Sequence, residues 1–71
     1  MDYAALLSDD QKKSILEQRV AQFAAEAYQH DINKKMAIAA GNDEGIKSSD
    51  DALVILEAAI VVHQEELAKL L

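Results

Sequence analysis

Residues 39–46 read Ala39-Ala40-Gly41-Asn42-Asp43-Glu44-Gly45-Ile46, and they hold both glycines of a 71-residue chain without proline. Glycine and proline are the strongest local breakers of regular structure, so the chain is punctuated once. Gly41 is suited to end a helix in the left-handed conformation. Asn42 can then cap the next helix, with Asp43 and Glu44 in its first turn against the positive end of the helix dipole. A connection this short makes the two helices antiparallel neighbours. The window therefore predicts an all-α fold, a long antiparallel two-helix hairpin.

Upstream, nothing interrupts a helix from Asp9 to Ala40, and alanine, glutamine, glutamate and lysine give it good intrinsic propensity over a length of about 48 Å. Its start is marked by Ser8-Asp9-Asp10-Gln11, a capping box in which the serine hydroxyl and the Gln11 side chain satisfy each other's backbone amides. Residues 1–7 are expected to form no more than one amphipathic turn. Downstream, a second helix is expected from Asp43 to about Lys69. A competing start at Ser48 or Ser49, before Asp50 and Asp51, would leave residues 41–48 as a loop, and Gly45 and the two serines favour it. Ile46, Leu53, Ile60 and Leu67 favour the earlier start. They recur every seven residues, with Leu56, His63 and Leu70 three places after the last three, and Ile46 joins the pattern only if it is already helical. The early start also nearly matches the lengths of the two helices. No repeat, low-complexity tract or second domain is present, so residues 1–71 form a single helical-hairpin domain.

A chain this short seldom builds a core worth more than about 3–5 kcal/mol without a staple or a partner. Cysteine is absent and there are two histidines, which leaves no disulfide and too few ligands for a structural zinc site. Association is the remaining route. The first helix carries two apolar stripes, Leu16-Val20-Phe23-Ala27 and Ala21-Ala25-Tyr28-Ile32-Met36-Ala39, which one partner helix cannot both cover. The second adds Val54, Ile55, Ala58, Ala59, Val61 and Val62 beyond its seam. The hairpin alone would expose several hundred Å² of contiguous apolar surface, at or beyond what soluble monomers tolerate. It is expected to form a homo-oligomer, as a four-helix bundle of two hairpins or a larger ring, or to insert into a larger protein assembly. Phe23, Tyr28, Ile32, Met36, Val54, Ile55, Val61 and Val62 are the candidate interface residues. His63 falls within the seam, where a buried imidazole could set register or make assembly pH-sensitive.

Thirteen acidic residues against seven basic ones give a net charge of −6, which opposes attraction to nucleic acid and to anionic membranes. The most apolar run, Ala52 to Val62, contains Glu57 and is far shorter than the roughly twenty residues that cross a bilayer. No secretory leader is evident, so the expected location is cytoplasmic. Glu26 and His30 on one helix and His63, Glu65 and Glu66 on the other invite comparison with di-metal bundles, but neither group has the Glu-x-x-His spacing of those sites. Serines 8, 14, 48 and 49 lack a glycine elbow or an evident relay, and neither glycine belongs to a phosphate-binding loop. The lysines of the first helix alternate with acids, as on a solvated face. Neither enzymatic activity, nor a cofactor, nor a small-molecule substrate is expected.

The stretch Gln18-Arg19-Val20-Ala21-Gln22-Phe23-Ala24-Ala25-Glu26-Ala27-Tyr28-Gln29-His30, followed by the Gly41-Asn42 turn, resembles small helical proteins encoded in tailed-bacteriophage genomes. The resemblance implies a minor virion component or a small factor acting inside the infected bacterium, and it carries over no functional residue. Two function classes follow. One is a non-catalytic structural or assembly protein working through helix–helix interfaces. The other is an acidic inhibitor that presents Asp43, Glu44, Asp50, Asp51, Glu65 and Glu66 to a basic host or nucleic-acid-handling protein.

Overall fold

A computed structural model describes all 71 residues. A short 3-10 turn, Tyr3–Leu6, precedes two helices, α1 (Asp9–Ala40) and α2 (Asp43–Ala68), which pack antiparallel as a hairpin. There is no strand.

Each boundary has a local chemical cause. At the start of α1 the Gln11 amide donates to Ser8 Oγ at 3.1 Å and the Ser8 amide donates to Gln11 Oε1 at 2.8 Å, completing the capping box. At the turn Gly41 sits at φ 66°, ψ 29°. Its amide donates to the Ile38 carbonyl at 3.1 Å, and the Asn42 amide donates to the Ala37 carbonyl at 2.8 Å. These two bonds satisfy carbonyls that the helix end leaves unpaired, in the Schellman arrangement. Asn42 then turns round to cap α2, its Oδ1 accepting from the Gly45 amide at 3.0 Å. One two-residue link thus closes one helix and opens the next, and α2 takes the earlier of the two possible starts.

Gly41 has open space where a Cβ would stand, so the cost of a side chain there is conformational alone. Gly41→Ala is expected to destabilise the hairpin by about 1–2 kcal/mol, the cost of a left-handed residue that is not glycine. A thermal melt followed by circular dichroism should show a midpoint lower by several degrees, with a smaller loss for Gly41→Asn.

The seam follows the seven-residue pattern on both helices. On α1 it comprises Leu16, Val20, Phe23, Ala27, His30, Lys34 and Ala37, and on α2 Ile46, Ser49, Leu53, Leu56, Ile60, His63 and Leu67, with Leu70 in the turn that follows; every one of these is buried or half-buried. Burial is nonetheless thin. Only Ala37, Ser49 and Leu56 fall below a tenth exposed, and no side chain is fully enclosed. Near the turn the helices approach closely, and a Cβ on Gly45 would lie 3.0 Å from that of Ala37. Small residues are what fit there. Just beyond, Lys34 Nζ reaches across to Asp50 at 2.7 Å. The hydrogen bond to Asp50, and then its charge, hold the Lys34 ammonium above its ordinary value of 10.5.

The molecule is a rod of 49 × 19 × 17 Å with a radius of gyration of 15.9 Å. A compact domain of this length would have a radius of gyration of about 11 Å.

Candidate interaction surface

The surface that remains after the hairpin closes has an uneven chemistry, and it is set by helical phase. At about 100° per residue, Ala21, Ala25, Tyr28, Ile32, Met36 and Ala39 project roughly opposite the α1 seam. By the same rule Val54, Ile55, Ala58, Val61 and Val62 project away from the α2 seam. Tyr28 is 67% exposed, Ile55 69% and Val61 50%, with Met36, Val54 and Val62 in the same range. Ile32, between Tyr28 and Met36 on the same stripe, is half-buried. Seven of the eight residues singled out from the sequence therefore lie on these two outward stripes.

Phe23 does not. It is in phase with Leu16, Val20 and Ala27 and packs inside the hairpin, its ring edge-on to His63 with centroids 5.0 Å apart and the Arg19 guanidinium 5.4 Å from its centre. His63 stands in the seam with both ring nitrogens engaged. Its Nδ1–H donates to the Ala59 carbonyl at 2.6 Å, and its Nε2 accepts from Arg19 Nε at 2.8 Å. That second bond requires a neutral ring, so this contact and a protonated His63 exclude one another.

His30 lies toward the turn, beside a shallow groove it shares with Asn33, Met36, Ser48 and Ser49. It does not converge with His63. Nowhere do three histidine, aspartate or glutamate side chains gather closely enough to hold a metal ion.

The basic side chains are all engaged within the hairpin, whereas seven of the thirteen carboxylates are in no ion pair. Lys12, Lys13, Lys35, Lys47 and Lys69 pair with Asp9, Glu17, Asp31, Asp51 and Glu66 on their own helices, Lys34 pairs with Asp50, and Arg19 is on His63. Three of the six carboxylates that an acidic inhibitor would present, Asp50, Asp51 and Glu66, are thus already in intramolecular ion pairs. Exposed pairs of this kind contribute little stability. Asp43, Glu44 and Glu65, the other three of those six, are in no ion pair.

At the open end of the hairpin, Tyr3, Ala4 and Leu7 fold against Ile15, Leu16 and Leu70 around an apolar recess. The sequence reading attached no role to these N-terminal residues, and their one signal was the apolar character of residues 3–7. No helix is long and apolar enough to cross a membrane. No protein-family model, no curated protein and no solved structure matches this chain, so the outward apolar stripes are what a functional reading has to explain.

Proposed function

We propose that this chain is a non-catalytic structural or assembly protein that acts by helix–helix contact through its outward apolar stripes. The observation that carries the reading is an area. The chain exposes 5356 Å² at a mass of 7.8 kDa, whereas a folded monomer of that mass exposes about 4,400 Å². The excess is about 1,000 Å², comparable with the roughly 800 Å² that each partner contributes to a standard stable interface. Its outward stripes carry large aliphatic and aromatic side chains, whose removal from water favours association at about 25 cal/mol per Å².

In line with the resemblance of residues 18–30 to phage-encoded helical proteins, the setting we propose is a minor component of a virion or of the infected cell's cytoplasm. The test is the mass of the chain in solution as salt is raised. Apolar contact persists at high ionic strength, while a contact made by exposed charges weakens once the screening length shrinks to a few Å. An assembly that falls apart on adding salt would contradict the reading and favour the acidic-inhibitor alternative.

A further inference from the structure

We infer that His63 is an acid-sensitive latch: a proton taken up on its Nε2 releases Arg19 and loosens the open end of the seam, while the turn end of the hairpin stays closed. The inference is independent of what the outward stripes contact, because the latch is made by residues at the seam.

A histidine with both ring nitrogens committed has no place for a further proton. The Nδ1–H of His63 donates to the Ala59 carbonyl at 2.6 Å, and Nε2 accepts from Arg19 Nε at 2.8 Å. Protonation turns that acceptor into a donor and sets an imidazolium against a guanidinium, so an attraction becomes a repulsion. The same guanidinium lies 5.4 Å from the centre of the Phe23 ring, which packs edge-on to His63 at 5.0 Å. Arg19, Phe23 and His63 thus form one cluster across the seam. Arg19 is exposed, so it has water to move into, and its departure uncovers both rings.

No carboxylate is already bonded to the ring to compensate for the new charge. On α1, Arg19 is the charged group on His63; Lys12 and Glu17, within two turns of it, are paired with Asp9 and Lys13, and Glu26 lies two turns the other way. On α2, Glu66 follows His63 by one turn and holds Lys69 at 2.9 Å, while Glu57 and Glu65 are exposed. The 3-10 turn brings Tyr3, which lines the recess beside Glu66 and Leu70.

The sign follows from linkage. The latched hairpin excludes a proton that the unfolded chain accepts. The latch therefore stabilises the fold above the ordinary histidine range, near about 6.5, and is lost as pH falls through and below it. The turn end is held by backbone bonds at Gly41 and Asn42 and by Lys34 on Asp50 at 2.7 Å. Neither a lysine nor an aspartate ordinarily titrates between about pH 5 and 8, and the bond to Asp50 raises Lys34 further still. His30, the other histidine, lies toward the turn and serves as the internal control.

The experiment compares thermal melts of the full chain by circular dichroism at about pH 8 and about pH 5.5, with ionic strength and protein concentration held fixed. The midpoint is expected to fall by roughly 4–8 °C at the lower pH, the effect of losing one such hydrogen bond in a chain of this size. His30→Gln should keep the drop, and both His63→Gln and His63→Leu should lose it. Arg19→Met leaves an apolar stem beside Phe23 without the donor or the charge, and the drop should shrink by more than half. Amide exchange, corrected for the intrinsic effect of pH, should quicken around Leu16–Phe23 and Ile60–Leu67 but not around Ala37–Ile46. Equal midpoints at the two pH values would overturn the latch, as would a higher one in acid, the result if Glu66 takes up the imidazolium. A drop that persists without His63 or is undiminished in Arg19→Met, or exchange that quickens equally at both ends, would also overturn it. A chain that light scattering shows to be single leaves this test intact, so the two readings fail separately.

Discussion

Leu56→Asp is expected to abolish the hairpin, with most of the helical circular-dichroism signal lost at room temperature. Leu56 is the most deeply placed large side chain, 8% exposed at the middle of α2, and it faces α1 across the seam. The substitution removes that apolar contact and puts a carboxylate where there is little water to solvate it. Truncating a well-packed leucine to alanine costs about 2–5 kcal/mol, and an unpaired buried charge adds several more. Against a core worth about 3–5 kcal/mol nothing is left in reserve. Both helices should then fray, because helices draw most of their stability from packing rather than from propensity. Leu56→Ala, with no charge, should remain partly folded with a lower urea midpoint. A Leu56→Asp protein with unchanged helicity and midpoint would show that the seam is not what holds the chain.

Val61→Asp should have the complementary effect. Val61 is on the outward side of α2, half exposed, and α1 does not depend on it. The hairpin should keep its helical signal. What should change is association, since burying the new carboxylate against a partner's apolar stripe costs at least about 3 kcal/mol, or two orders of magnitude in affinity. Sedimentation at micromolar concentration would show a shift toward the single chain. Glu65→Lys, one turn further along the same side, is the control: it reverses a charge without touching the apolar stripe, and association should be nearly unchanged. Equal association of Val61→Asp and the parent, or a larger effect of Glu65→Lys, would move the contact elsewhere.

The parts of the fold legible in the sequence are those whose chemistry is local. Gly41 and Asn42 mark the turn because a left-handed residue and a cap must be next to each other there, and Ser8 and Gln11 mark the start of α1 for a similar reason. Ile46 placed the start of α2 through its seven-residue spacing. The seam near the turn was harder to see because its residues are not apolar. Ser49, three places after Ile46 and the most buried residue at 6% exposed, occupies a seam position that a search for leucine passes over. On α1, His30 and Lys34 continue the stripe of Leu16, Val20, Phe23 and Ala27 for the same reason. Close helix approach and the Asp50 ion pair replace apolar volume there.

The partners within the seam were also beyond the sequence. His63 was placed in the seam by its spacing, but Arg19 stands 44 positions away and meets it only because the turn fixes the register. Phe23 belonged with the seam by phase, and grouping it with the outward residues ignored that. Each helix revealed its own second apolar stripe. That the two stripes point away from each other is a property of the closed hairpin, which no single helix shows.

Light scattering on the unmodified chain, coupled to size-exclusion chromatography over a range of micromolar concentrations at high salt, tests self-association directly. The outward stripes predict a mass above 7.8 kDa that rises with concentration and survives the salt. A constant 7.8 kDa at every concentration, with helicity intact, would contradict it.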